Sequence, residues 1–218
     1  ARARWAARGN VEDRGMSERK LGVLVHGAGW VAGEHIKAFK NNPRTRVVAI
    51  SSRRMESCRA RAEEAGLEGV ALFTDYERAL AHEGVDIVSV CTPQQHHADN
   101  VIAAAEAGKH IVIEKPVANT PAEMRAMLDA VTKAGVKTVV SFVLRWNPLF
   151  ETVKSLLAED AVGDVYYTEA DYQHDIASWW AGYGEGRTKA LGVSAALVAG
   201  CHAIDAALTP RAFVRPSP

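Results

Sequence analysis

The sequence predicts an α/β protein: a doubly wound parallel sheet followed by an incomplete second α/β layer built on an open sheet. Three observations point there. Short apolar runs alternate with helical patterns from residue 21 to residue 142, the rhythm of βαβ units. A glycine turn, Gly27-Ala28-Gly29, separates the first run from the first helical pattern. A later apolar run, His110-Ile111-Val112-Ile113, closes on Glu114-Lys115-Pro116. A charged pair and a proline are poor core material, so this segment should stand at a strand mouth facing a crevice.

Leu21-Gly22-Val23-Leu24-Val25-His26 is the first strand. After the glycine turn, Val31, His35, Ile36 and Phe39 fall on one helical face. Gly27 allows the tight turn, Gly29 lets backbone approach a pyrophosphate, and Ala32 permits close helix–strand packing. The helix start at Trp30 and Val31 offers N–H groups and a positive dipole to phosphate. Gly27, Gly29, Trp30 and Val31 are therefore candidate dinucleotide-binding residues.

Arg46-Val47-Val48-Ala49-Ile50 is the second strand. A carboxylate at its end would take the ribose hydroxyls of NAD. Ser51-Ser52-Arg53-Arg54 stands there instead. Hydroxyls and guanidiniums suit a 2′-phosphate, so Ser52 and Arg53 favour NADP, with NAD as the alternative.

A helix from Glu56 to Ala65, a strand from Ala71 to Phe73 and a helix from Asp75 to Ala81 follow. Val85 to Cys91 reads as a strand ending in Thr92-Pro93, and Ala98 to Ala107 as a helix leading to the strand before Lys115. Thr120, Pro121 and Glu123 make a helix start, with Thr at the N-cap, Pro first and Glu in the capping-box position. Gly135 should end that helix, and Val136 to Phe142 should be a further strand. This first domain spans 18–142, after a disordered extension over 1–17, and Met16-Ser17-Glu18 at their junction looks like a protein start. In 143–218, Arg145-Trp146-Asn147-Pro148 leads into a helix from Leu149 to Leu157, and Val165 to Tyr172 reads as a strand. Ser178 to Gly184 is an aromatic and glycine loop suited to a lid or substrate wall, and a helix from Gly192 to Leu208 carries Gly200-Cys201-His202 and Asp205.

The bulk composition excludes several classes. With 26 basic and 26 acidic residues the chain has no net charge, hence no electrostatic footprint for nucleic acid or an anionic membrane. No apolar run approaches the roughly 20 residues of a membrane span. Three scattered cysteines suggest neither a disulfide framework nor a metal site, and they fit a reducing, cytoplasmic setting.

Gly27-Ala28-Gly29 with Ala32, Thr92-Pro93 with His97, Glu114-Lys115-Pro116, Arg145 with Asn147-Pro148, and Gly200-Cys201-His202 with Asp205 occur in one order. That order resembles the Gfo/Idh/MocA oxidoreductases, which include glucose–fructose oxidoreductase and inositol dehydrogenases. The resemblance runs from Leu21 to Leu208. It implies an NAD(P)-binding Rossmann domain, a second open-sheet domain, and hydride exchange with a hydroxyl or carbonyl carbon of a sugar, cyclitol or related small molecule. It implies that Glu114 and Lys115 line the nicotinamide and substrate region and that Thr92, Pro93 and His97 pack near the cofactor. Lys115 or His202 would be the general acid/base, and Arg145, Trp179 and Asp205 would meet substrate, with Asp205 also placed to orient His202. It implies a homo-oligomer paired through the open sheet.

Two departures stand out. Val198 occupies a position, four residues before His202, where many catalytic relatives carry Asp. The chain also stops before most strands of the second domain, as a truncated product would. Both departures leave a catalytically inactive dinucleotide-binding regulator, or a fragment, as the alternative.

Overall fold

The computed structural model describes residues 19–174 and 194–211. Six strands form one sheet: β1 (Leu21–His26), β2 (Thr45–Ser51), β3 (Ala71–Phe73), β4 (Ile87–Val90), β5 (His110–Ile113) and β6 (Thr138–Val140). Every neighbouring pair is parallel, in the order β3-β2-β1-β4-β5-β6. Parallel neighbours need crossovers, and helices supply them: α1 (Trp30–Asn41), α2 (Met55–Glu64), α3 (Tyr76–Leu80), α4 (His97–Glu106) and α5 (Pro121–Ala134).

Both faces of β1 are buried, as a central parallel strand requires. Val23 and Val25 point into one core layer with Ile36 of α1 and Cys58 and Ala62 of α2. Leu24 points into the other, with Val88, Val101, Ile111 and Met127. Each fully buried aliphatic side chain stabilises the fold by about 2 kcal/mol. The strand order reverses between β1 and β4, so the helices leave in opposite directions and a crevice opens at the carboxyl ends.

Element edges differ from the sequence reading by one to three residues for local reasons. β4 begins at Ile87 because Val85 closes a turn onto His82 O, and the Asp86 carboxylate accepts the Gly22 N–H. The capping box forms as the residues dictate: Thr120 Oγ accepts the Glu123 N–H at 3.1 Å and Glu123 Oε2 accepts the Thr120 N–H at 3.2 Å. Gly135 closes the helix in the left-handed region, φ 65°.

Past residue 142 the described regular structure is helical: a 3-10 turn (Val143–Trp146), α6 (Pro148–Ala158), a π-helical turn (Ala196–Gly200) and α7 (Cys201–Arg211). The strand expected over Val165–Tyr172 is not formed, and Tyr166 and Tyr167 are exposed. With aromatic and polar residues on both sides the segment has no apolar face to bury, and no strand among the described residues pairs with it. Among the described residues no helix is long and apolar enough to cross a membrane.

Thr120→Ala removes one arm of the α5 capping box. It should lower stability by about 1 kcal/mol, read as a lower urea midpoint at unchanged m-value.

Candidate active site

The site begins where β1 meets α1. Gly27 has φ +109°, and a Cβ there would stand 2.5 Å from Cys91 O, so only glycine lets β1 and β4 end side by side. Its N–H donates to Ser51 O, and the Cys91 N–H donates to His26 O, lacing three strand ends together. Gly29 is the N-cap of α1, with no side-chain cap bond, and a Cβ there would meet nothing within 4 Å. The first-turn N–H groups of α1 thus have no side-chain cap and the backbone at Gly29 is uncrowded, as close approach of a pyrophosphate requires. Trp30 is 76% exposed beside them, and Val31 is half-buried. At the end of β2, Ser52 donates its N–H to Phe73 O, while Arg53 and Arg54 are exposed.

Lys115 lies at the carboxyl end of β5 and is half-buried. The Lys115–Pro116 peptide is cis. Lys115 Nζ donates to Val198 O at 3.0 Å, in the π-helical turn that precedes α7. Behind it, Glu114 Oε2 accepts the Lys115 N–H at 3.2 Å and Glu114 Oε1 lies 2.9 Å from His35 Nε2. Burial alone would raise the Glu114 pKa, but bonds from His35, Ser141 and the Lys115 N–H hold it below the usual value. Burial alone would likewise lower His35, and contacts with Cys91 and Glu114 reverse that, raising it to about 10.

His97 is buried rather than open to the crevice. Its Nδ1 lies 2.8 Å from Pro116 O and its Nε2 2.9 Å from Thr92 O. Burial lowers its pKa against the pull of both carbonyls. The ring thereby ties the loop after β4 to the segment after β5 and presents Thr92 and exposed Pro93 at the rim. Thr92 Oγ accepts from Asn100 Nδ2 at 2.8 Å.

The helix α7 is turned polar side inward. His202 and Asp205 are buried while Ile204 and Leu208 are exposed. His202 stacks on Tyr172 at 5.2 Å and meets the Phe142 ring edge-on at 6.2 Å. Its Nδ1 is buried without a partner among the described residues. Burial first, then the nearby Lys115 cation, lowers its pKa, so the ring is neutral at pH 7. Arg145 grips Asp205 with a forked pair, Nε to Oδ2 at 2.9 Å and Nη2 to Oδ1 at 2.5 Å. These two candidate substrate residues therefore engage each other and anchor α7 on the 3-10 turn. Trp179 and the rest of the aromatic loop lie outside the described residues.

The family model GFO_IDH_MocA, described as an oxidoreductase family with an NAD-binding Rossmann fold, matches residues 21–142. The chain belongs to this family. A 4-carboxy-2-hydroxymuconate-6-semialdehyde dehydrogenase of Sphingobium sp. (strain NBRC 103272 / SYK-6) is 30% identical over 69% of this chain and 46% of that protein. A D-glucoside 3-dehydrogenase of Escherichia coli (strain K12) is 30% identical over 71% of this chain and 44% of that protein. Among solved structures, an oxidoreductase domain protein from Kribbella flavida superposes with TM-score 0.79 at 30% identity, over 88% of this chain and 53% of that one. The chain spans under half the length of these two curated relatives.

Within this GFO_IDH_MocA domain, two residues near the seat went unread in the sequence. His35 sat in an apolar stripe and read as core, yet both ring nitrogens are engaged by polar partners. A lone histidine amid Val31, Ile36 and Phe39 was the available signal. Arg61 of α2 donates to Ala28 O at 3.3 Å and fills the space beside Gly33, where a Cβ would stand 2.7 Å from its guanidinium. Nothing in the spacing of Gly33 and Arg61 announces that contact.

The His35–Glu114 pair implies a pH dependence of stability. Glu114, lowered on folding, contributes above its ordinary value near pH 4.3 and loses that as pH falls. His35, raised to about 10, contributes fully below about pH 6.5 and loses that as pH rises toward 10. Stability should therefore peak at about pH 5–6.5 and decline toward pH 10, and His35→Gln should flatten the alkaline decline in urea titrations across that range.

Proposed function

We propose that the protein transfers a hydride between NADP(H), or NAD(H), and a hydroxyl or carbonyl carbon of a sugar, cyclitol or related small molecule. One observation supports this reading: Lys115 Nζ donates to the carbonyl of Val198, four residues before His202, and the Lys115 charge bears on the His202 ring. Gly27, Gly29 and the first turn of α1 would hold the pyrophosphate, and Ser52 and Arg53 the adenosine ribose end. Thr92, Pro93 and Glu114 would flank the nicotinamide end. When bound, the dinucleotide supplies or accepts the hydride, and the protein supplies position and a proton path.

Lys115 would donate to the substrate oxygen and stabilise the negative charge that develops as a carbonyl is reduced. To do so it exchanges the Val198 carbonyl for the substrate. That carbonyl is a main-chain group, an uncharged and weaker acceptor than a carboxylate, so the exchange costs less than leaving an ion pair. His202 is neutral and its Nδ1 has no partner among the described residues, so the ring could receive the hydroxyl proton on oxidation and return it on reduction. The D-glucoside relative supports a polyol-type substrate, and the inward polar face of α7 offers hydroxyl partners for one.

Thermal unfolding with each dinucleotide tests the cofactor assignment. Ligand at 100 times Kd should stabilise the fold by about 2.7 kcal/mol. NADPH should raise Tm more than NADH, and Arg53→Ala should abolish the difference. A larger shift with NADH would overturn the NADP preference, and no shift with either would overturn the seat itself.

Lys115→Ala tests the chemistry. Turnover should fall by about 100-fold or more with NADPH stabilisation retained. Unchanged turnover would sink the role given to Lys115, and dinucleotide binding with no turnover by the wild type across polyols and keto-sugars would favour the regulator instead.

A further inference from the structure

A buried polar chain runs behind the crevice. The thiol of Cys91 lies 3.5 Å from Ser89 Oγ on β4. Ser89 Oγ lies 2.8 Å from His35 Nδ1, and His35 Nε2 lies 2.9 Å from Glu114 Oε1. Glu114 Oε2 then accepts the N–H of Lys115. The His35 and Glu114 side chains are only 11% and 12% exposed, so the pair is scarcely screened by water. The other buried residues of α1 are Ala32, Gly33 and Ile36, none of which has a polar side chain. A leucine or phenylalanine could fill the volume of His35. What the ring adds, beside Ser141 and the Lys115 N–H, is an oppositely charged contact on the carboxylate that sits against the lysine backbone.

We infer that His35 is a positioning residue of the reaction centre: through Glu114 it sets the backbone of Lys115 relative to the glycine turn at the start of the same helix. The inference rests on the role given to Lys115 above. His35 touches no reacting atom in this scheme. It acts because α1 has one end at the phosphate seat and, little more than a turn later, a side chain braced on Glu114. The groups facing the ring are Glu114 just past β5, Ser89 of β4, Cys91 just past β4, and Phe39 on its own helix at 6.4 Å. The opposed charges of imidazolium and carboxylate fix the side chain that accepts the Lys115 N–H. Loss of that brace would let Glu114 turn and Lys115 drift, and small displacements at a reacting group carry large rate penalties.

The test uses the protein with NADPH and a turned-over substrate. In His35→Ala, kcat should fall by about tenfold or more while Kd for NADPH moves by less than about threefold. His35→Gln keeps a donor to Glu114 and should recover most of the loss. A purely structural histidine would lower Tm and leave kcat per folded molecule unchanged in both variants, and that result overturns the inference. A second readout needs no turnover: trapping of Lys115 by pyridoxal phosphate and borohydride, located by peptide mass spectrometry and referred to exposed Lys133. The Lys115 to Lys133 labelling ratio should change by about threefold or more in His35→Ala. An unchanged ratio overturns the positioning role. If the wild type turns nothing over, the catalytic reading fails and this ratio alone decides the positioning. If His35→Ala does not fold, Ser89→Ala leaves the ring in place, removes its seat, and is judged by the same two outcomes.

Discussion

The contact on which the rest depends is the approach of Gly27 to Cys91 O, a distance no side chain tolerates. It brings the ends of β1 and β4 together at the point where strand order reverses, and the crevice exists because they meet there. From that junction α1 leaves with its first N–H groups uncapped, and β5, the next strand over, delivers Lys115 to the same rim. His97 secures the arrangement from below by tying the carbonyls of Thr92 and Pro116 to one ring. A glycine, a helix start and a bridging histidine thus convert a generic parallel sheet into a seat with a lysine at its edge.

The electrostatics at this edge follow from who is paired and who is not. Glu114 and His35 neutralise one another out of water, so the carboxylate next to Lys115 is already committed. Asp205 is likewise held by Arg145. Among the described residues, Lys115 Nζ donates to a main-chain carbonyl and His202 Nδ1 has no hydrogen-bond partner. In the proposed hydride transfer these are the two groups that would hold an oxygen and move a proton.

Much of the first domain was legible from residues 21 to 142. Glycine, proline and threonine signals act locally, so the capping box at Thr120, the stop at Gly135 and the turn at Gly27 could be read without knowing what packs against them. The strand expected at Val165–Tyr172 failed for the opposite reason: a strand needs a neighbour, and period and composition say nothing about whether one is present. The part of the site read from strand ends, Lys115 and the glycine turn, came from rules about where ligands bind in parallel sheets. His35, Arg61 and the Arg145–Asp205 pair did not, because each joins residues that are 33 to 79 positions apart or sits within an apolar pattern.

The sequence by itself determined the sheet, its direction and the identity of the chemical groups at its rim. Those are consequences of local pattern: alternating elements, a turn only glycine can make, and a charged pair at the end of a buried strand. The tertiary structure alone decided how those groups are partnered. It put His35 against Glu114, turned Arg145 onto Asp205 rather than leaving both to a ligand, and laid Lys115 on the carbonyl of Val198. Pairing of this kind depends on distances between elements far apart in the chain and on the exclusion of water between them, and neither quantity is written in the order of the residues.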